Sequence, residues 1–296
     1  MEQIIAQIML PLVLGTVMLG MGLSLRIKDF KAVLLEPKTA IVGFLLQLFL
    51  LPLLALFIIH VLALNSTAAA GLFLLALCPG GATSNLFSFI AKGNLALSVC
   101  LTGIVSVLSP FILPAAFIGF VHYSGIDAQS FNLPLLPAIK KLALVTLLPT
   151  ITGMCIRYFA DEWSHSVIPF IKKVSTIAML LVISALLLTN THIIPAMASV
   201  QGIAVILLCS SSLLIAYFIA GKLNIDESNR KTIALEVGVQ NAGTAMVIAL
   251  SIMHQPTLAT IPLIYGILMN IPAFSFIYYL LNKENKSVKK QERLSY

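Results

Sequence analysis

Glu236 is the one acidic residue that falls inside an apolar stretch long enough to cross a membrane. It lies in ALEVGVQNAGTAM (Ala234–Met246), beside the amides of Gln240 and Asn241 and among two glycines. A carboxylate at that depth costs about 3 kcal/mol or more unless it is neutralised, and such residues usually mark ion or substrate pathways. This stretch contains no Lys or Arg. The sequence therefore indicates that a bound cation neutralises Glu236.

Two of the apolar stretches are interrupted at membrane depth. The first is GLFLLALCPGGATSNLFSFIAKGN (Gly71–Asn94), in which Pro79 and the two glycines after it should end an α-helix. The second is interrupted over Val237–Gly243. Glycines in membrane helices often serve close packing, but broken backbone beside clustered polar residues is tolerated only where it lines a cavity or is buried in protein. The residues that can cap a new half-helix after the first break are Thr83, Ser84 and Asn85.

The chemistry expected at such breaks is specific. A half-helix that begins at a break points free N–H groups and a positive dipole end into the cavity, which suits an anion. A half-helix that ends there offers unpaired carbonyls, which suit a hard cation. With the carboxylate, amides and hydroxyls, the ligand set consists of oxygen. Such a set fits sodium and argues against zinc or copper.

The bulk composition places these segments in a membrane. The 296 residues are 59% hydrophobic and 10% charged, with a mean hydropathy of +1.02, whereas a soluble domain carries about 25% charged residues. We therefore predict an all-α polytopic membrane protein, a single transmembrane domain over 1–296 with a basic tail at 283–296. The predicted spans are 4–23, 39–59, 67–91, 95–120, 138–158, 168–189, 200–220, 231–254 and 260–281.

The basic residues predict how the chain is oriented. Of the 18 Lys and Arg residues, all but Lys140 and Lys141 fall on one side of the predicted spans. The positive-inside rule then places the N-terminus outside and the C-terminus in the cytoplasm. The net charge of +7 is spread over short connections and the tail, so it suits an anionic membrane face and not nucleic acid. We expect an integral protein of a bacterial inner (plasma) membrane, and the acidic N-terminus favours a first span over a cleaved signal peptide.

The remaining reactive residues do not form an enzyme site. Ser84 has no basic partner nearby in sequence, and the histidines all fall at predicted span ends, so the sequence predicts no enzymatic activity. The cysteines show no metal-ligand spacing and are interpreted as small buried apolar residues. The cysteines are Cys78, Cys100, Cys155 and Cys209, and the histidines are His60, His122, His165, His192 and His254.

The two interrupted segments resemble the bile acid:sodium symporter family. The matching motifs are GMGLSLRIKDF (Gly20–Phe30), CPGGATSN (Cys78–Asn85), KGNLALSVCLTG (Lys92–Gly103) and EVGVQNAG (Glu236–Gly243), in the family's order. The resemblance implies an inverted-repeat transporter with two discontinuous helices that cross at their unwound centres. It implies a panel domain from spans near 4–23, 138–158 and 168–189, and a core domain from spans near 39–120 and 200–281.

The resemblance also implies the binding residues. Taken alone, Ser98 and Thr102 can bond their own helix, while Gln47 and Asn270 can join neighbouring helices. The first sodium site implied by the resemblance uses Ser84, Asn85, Ser98, Thr102 and Glu236. The second uses Gln47, Glu236, Gln240 and the backbone carbonyls of Val237 and Val239. The substrate cavity is expected near Ala82, Thr83, Asn241 and Asn270.

We therefore predict a monomeric symporter that uses two sodium ions and no organic cofactor. It would import an organic anion, bile acid-like or a smaller monocarboxylate such as pantoate, by alternating access. The alternatives are a cation/proton antiporter, which usually needs a second buried ionisable group, and a ligand sensor that does not transport. Two departures from relatives bear on the substrate. Some bacterial members carry a further N-terminal helix, and some have a histidine where this chain has Met269.

Overall fold

A computed structural model describes residues 2–26, 28, 36–125, 131, 133–191 and 193–294, apart from the side chains of residues 2 and 285–294. Parts of the Gly20–Phe30 motif, Lys31, His192 and the side chains of the basic tail beyond Glu284 lie outside this description. The described residues form helices joined by short turns, with no strand among them. The predicted all-α architecture is therefore confirmed.

Eight helical stretches are long and apolar enough to cross a membrane, judged by length and composition within the described residues. The third predicted span, 67–91, is not among these eight, because its break divides it into two shorter helices. The helices are α1 (Ile5–Ser24), α2 (Pro37–Val61), α3 (Ser66–Ala76), α4 (Ala82–Ile90), α5 (Leu95–Tyr123), α6 (Leu135–Phe159), α7 (Asp161–Thr189), α8 (Ile193–Met197), α9 (Val200–Lys222), α10 (Glu227–Gly238), α11 (Ala242–Met246, continued by the π-helical Val247–Ile252), α12 (Thr260–Leu268) and α13 (Asn270–Leu294).

Prolines inside three of the spans explain their local geometry. A proline lacks the N–H that would bond the carbonyl four residues earlier, and its ring crowds that carbonyl. Pro11, Pro52 and Pro149 each follow closely after a five-residue π-helical segment. The wider π turn relieves the crowding, and such segments often occur at functional positions. The segment before Pro52 carries Gln47.

Close packing joins α1 to α6 and α7. Glycines permit the approach of α1 to α6, because a Cβ built on Gly153 would lie 2.5 Å from the Leu19 carbonyl oxygen and 2.7 Å from the Leu23 nitrogen. Gly22 meets the backbone of Thr150 from the opposite side. The three helices, whose spans are the ones predicted to form the panel, therefore pack against one another.

Gly153→Ala should destabilise this unit. The added methyl meets backbone atoms that cannot rotate away, and overpacking of this kind costs about 1–3 kcal/mol. We expect a lower thermal midpoint in detergent, measured by fluorescence-detected size-exclusion chromatography. Gly119→Ala is the matched control, because nothing lies within 4 Å of a Cβ at that position. Equal thermal midpoints for the two variants would contradict the packing assigned to Gly153.

The most enclosed span runs from α10 through α11. In the window taken from Glu227–Ile252, 94% of residues are buried, against 17% for α7. Helices α9 and α12 pack against this span, and so do α4 and α5. A helix that is apolar and buried all round occupies the centre of a bundle. The candidate site therefore lies in the interior of the helix group predicted as the core.

Polar capping fixes α5 and α10 relative to each other. The Asn94 side chain accepts the Leu97 N–H at 3.1 Å and donates to the Asn229 side chain at 2.9 Å. Ser98 lies one turn beyond Asn94, and Glu236 lies two turns beyond Asn229. Because both helices start from this shared contact, Ser98 and Glu236 lie within two turns of it, and the Ser98 hydroxyl reaches the Glu236 carboxylate.

Candidate functional site

The two predicted breaks meet in space. The backbone leaves helical geometry between α3 and α4, and again between α10 and α11. The Asn241 N–H donates to the Pro79 carbonyl at 2.9 Å, so one unwound segment binds the other directly. Pro79 cannot continue the helix of α3, and Asn241 caps α11 by accepting the Thr244 N–H at 3.2 Å. The sequence features that end each helix therefore also form the crossing.

The Glu236 carboxylate lies at this crossing and is fully buried. Ser98 donates to its Oε1, and Thr102 donates to its Oε2 at 2.6 Å. The Asn85 side-chain oxygen lies 2.7 Å from Ser98 Oγ, and the Ser84 hydroxyl also lies beside the carboxylate. The five residues expected at the first sodium site thus come together from α4, α5 and α10.

Acceptors outnumber donors in this cluster. The Ser98 hydroxyl has one hydrogen, yet the carboxylate and the Asn85 oxygen at 2.7 Å, which can only accept, both lie within its reach. Ser84 donates to the Gly81 carbonyl at 2.8 Å, which uses its hydrogen elsewhere. A buried group of oxygens with too few hydrogens is stabilised by a small hard cation. The residues therefore fit a sodium ion.

Protein charges do not neutralise Glu236. Lys231 is the basic residue closest to it in sequence, but its side chain forms an ion pair with Glu284 on α13. In the part of the chain that the structure describes, no basic nitrogen lies within ion-pair distance of the Glu236 carboxylate. Its negative charge is met by hydroxyls alone, which supports the sequence-based expectation of a bound cation.

The residues expected at the second sodium site are also buried. Gln240 Nε2 donates to the Val237 carbonyl at 2.7 Å and to the Glu236 carbonyl at 3.2 Å, while its Oε1 has no partner. Gln47 lies on the π-helical segment of α2 that packs against α10, and neither atom of its amide has a partner. Unpaired buried amide oxygens fit a cation. Because the Gln240 nitrogen faces the Val237 carbonyl, coordination by both oxygens requires this amide to turn over.

The expected substrate residues differ in their surroundings. Ala82 and Thr83 are half-buried at the start of α4, and Asn241 has an unpartnered Nδ2. Asn270, the first residue of α13, instead donates to two carbonyls at the end of α12 in the same span, those of Gly266 at 3.1 Å and Ile267 at 2.9 Å. Asn270 Nδ2 therefore bonds within its own span and does not join a neighbouring span, as the alternative interpretation proposed.

Several residues at the crossing have no clear signal in the sequence. Tyr265 on α12 and Cys209 on α9 both contact the Gly238 carbonyl, and Gly80 lies directly against the Glu236 carboxylate. A tyrosine in an apolar span is the one hint that sequence alone offers, since its hydroxyl needs a partner when buried. The interpretation of all cysteines as buried is wrong for Cys155, which is exposed on the surface of α6.

The fold and this site together define a secondary transporter, because paired helix breaks that enclose a buried polar site are characteristic of that class. A family model described as "Sodium Bile acid symporter family" matches residues 11–197. The chain belongs to this family, and it is a transporter and not an enzyme.

Similar proteins occur in bacteria, plants and animals. The chain is 31% identical to "Uncharacterized sodium-dependent transporter YocS" of Bacillus subtilis, over 94% of this chain and 84% of that protein. It is 31% identical to "Probable sodium/metabolite cotransporter BASS1, chloroplastic" of Arabidopsis thaliana, over 78% of this chain and 56% of that protein. It is 29% identical to human "Sodium/bile acid cotransporter 4", over 90% of this chain and 62% of that protein. The names of these relatives support sodium as the coupling ion.

Proposed function

We propose that this protein imports an organic monocarboxylate into the cytoplasm together with sodium. One observation carries the proposal: a fully buried carboxylate, Glu236, lies where two broken helices cross, among oxygens that lack enough hydrogens to pair with one another. Sodium at Ser84, Asn85, Ser98, Thr102 and Glu236 would supply the missing positive charge. A second sodium ion would bind Gln47, Gln240, Glu236 and the Val237 and Val239 carbonyls.

The position of the first site supports coupling between sodium and substrate. Its oxygens belong to α4, α5 and α10, so a cation there holds three helices together. The N-termini of α4 and α11 begin at the same crossing and direct their free N–H groups and positive dipole ends to one region. Sodium thus stabilises the arrangement that binds a carboxylate, and by linkage the substrate raises sodium affinity to the same degree.

Polar contacts at one end of the molecule support alternating access. Lys141 on α6 donates to the Ser251 carbonyl, and Ser251 Oγ donates to the Ala6 carbonyl of α1. Gln7 on α1 donates to the Leu250 carbonyl at 2.9 Å. These bonds connect proposed panel helices to the end of α11 on the side assigned to the exterior. We infer that they close the outer side and separate when the cavity opens outward.

Uptake into proteoliposomes tests the proposal. A thermal-shift screen of organic acids, with and without sodium, first selects a labelled substrate. We expect accumulation under an inward sodium gradient, and little uptake when choline replaces sodium. Two sodium ions with one monoanion move one net positive charge inward, so a potential of 100 mV, inside negative, adds about 2.3 kcal/mol per cycle. A potassium diffusion potential should therefore increase uptake.

Two outcomes would contradict symport. Equal uptake in sodium and choline buffers would remove the coupling. Uptake driven by a pH jump without sodium would instead indicate cation/proton exchange. Counterflow of labelled substrate across membranes without a gradient separates either kind of transporter from a ligand sensor.

A further inference from the structure

The Gly238 carbonyl, at the end of α10, receives two side-chain donors. Tyr265 Oη on α12 donates to it at 2.6 Å, and Cys209 Sγ on α9 lies 3.2 Å from it. Tyr265 and Cys209 are both buried. The last carbonyls of a helix lack partners within that helix. This one is satisfied by two neighbouring helices, α9 and α12, which also pack against each other.

The bond to Gly238 bears on the carbonyls beside it. Val239 is extended, with φ −117° and ψ 103°, so the carbonyls before and after it point to opposite sides of the chain. Holding the Gly238 carbonyl toward Tyr265 therefore directs the Val239 carbonyl away from α9 and α12. The same bond keeps Gly238 from competing as a ligand at the second sodium site.

The packing around the break also requires that residue 238 has no side chain. A Cβ there would lie 2.6 Å from Leu213 Cδ2, because α9 packs directly against the break. Leu213 thus presses on the Gly238 α-carbon from α9, while Tyr265 binds the adjacent carbonyl from α12. The unwound segment is therefore contacted at one residue by two neighbouring helices.

We propose that Tyr265 is a positioning residue for the second sodium site, with Cys209 in a supporting role. Through the Gly238 carbonyl it fixes the backbone that presents the Val237 and Val239 carbonyls, without touching the ion. The inference deepens the proposed function and rests on it. A purely structural role for Tyr265 would change stability but not the concentration of sodium that fills the site.

The test measures sodium binding separately from transport. Purified wild-type protein and Tyr265→Phe are titrated with NaCl, at constant ionic strength with choline chloride, while the melting temperature is followed. Loss of one hydroxyl–carbonyl bond should raise the sodium concentration at half-maximal stabilisation about fivefold. In proteoliposomes the half-saturating sodium concentration should rise equally, with the maximal rate at saturating sodium within about twofold of wild type.

Matched variants complete the test. Tyr217→Phe removes another tyrosine hydroxyl, which lies near the C-terminal end of α9 and donates to Glu227 on α10, and it should leave the sodium midpoint unchanged. Cys209→Ala should raise the midpoint less than Tyr265→Phe does, and Cys209→Ser, which keeps a donor, should stay near wild type. If Tyr265→Phe lowers the melting temperature but keeps the wild-type sodium midpoint, Tyr265 is structural and this inference fails alone. If wild-type protein shows no stabilisation by sodium, both the inference and the proposed function fail.

Discussion

Glu236→Gln is expected to abolish sodium-driven uptake while the protein still folds. Glutamine has the same shape, and its amide oxygen can still accept a hydrogen bond from Ser98 or Thr102. What it lacks is the negative charge, which in this buried site supplies the main attraction for a cation. Losing that attraction should lower sodium affinity by about 100-fold or more, equivalent to about 3 kcal/mol. Uptake under a sodium gradient should then fall to the level measured in choline buffer.

The control is Glu162→Gln, the same chemical change at an exposed position in the first turn of α7. It should leave the half-saturating sodium concentration at the wild-type value. The melting temperature of Glu236→Gln in choline should equal or exceed that of the wild type, because an unneutralised buried charge has been removed. A Glu236→Gln protein that still accumulates substrate in response to sodium would remove this residue from the mechanism.

Features encoded by backbone chemistry could be predicted from the sequence. Pro79 with its glycines and the Gly238–Gly243 region end helices wherever they occur, so both breaks were expected and both are found. The grouping of Ser98 and Thr102 followed from their spacing of one helical turn. The structure places both hydroxyls on the carboxylate, and not on their own helix as the alternative interpretation had it.

Features that depend on how helices rotate against each other could not be predicted. The pattern of apolar residues does not show which face of α9 or α12 is turned toward the break, since both helices are apolar around most of their circumference. The contacts of Cys209 and Tyr265 with Gly238 therefore could not be predicted from the sequence. The same holds for the bond from Asn241 to Pro79, which joins backbone atoms and requires no particular side chain. The backbone contacts that form the crossing therefore cannot be found by matching sequence motifs.

These contacts imply that the proposed ion sites and the crossing form one mechanical unit. Glu236 contributes its carboxylate to the first site and its backbone carbonyl to the Gln240 amide near the second. Two turns earlier, Asn229 ties the same helix to α5. A cation that draws the hydroxyls and the carboxylate together therefore acts on the helix break through only a few covalent bonds. Because the connection is short, cation binding can affect the helix break directly and does not require a long chain of intermediate residues.

Gly80→Ala provides the second large effect, because it introduces a methyl group into the proposed first sodium site without changing any of its proposed ligands. A Cβ at Gly80 would lie 2.6 Å from Glu236 Oε2, 3.0 Å from Ser84 Oγ and 3.5 Å from Thr102 Oγ1. The methyl would occupy the space between oxygens that we assign to the ion, and it offers no lone pair in return. The backbone at Gly80 does not have the positive φ that would exclude alanine.

We expect Gly80→Ala to raise the half-saturating sodium concentration by at least about tenfold, both in uptake and in sodium-dependent thermal stabilisation. Gly81→Ala, one residue further along, is the comparison, since its Cβ would make ordinary contacts of 3.5 Å with the Asn241 side chain. Like Gly80→Ala, this variant replaces one glycine of the Gly80-Gly81 pair by alanine, so it reduces the conformational freedom of the unfolded chain to the same extent. If both variants shift the sodium midpoint alike, the effect comes from the flexibility of the break; if Gly80→Ala alone shifts it, the ion binds between Gly80 and Glu236. Wild-type sodium dependence in Gly80→Ala would place the cation elsewhere, since a methyl group and a sodium ion cannot share that space.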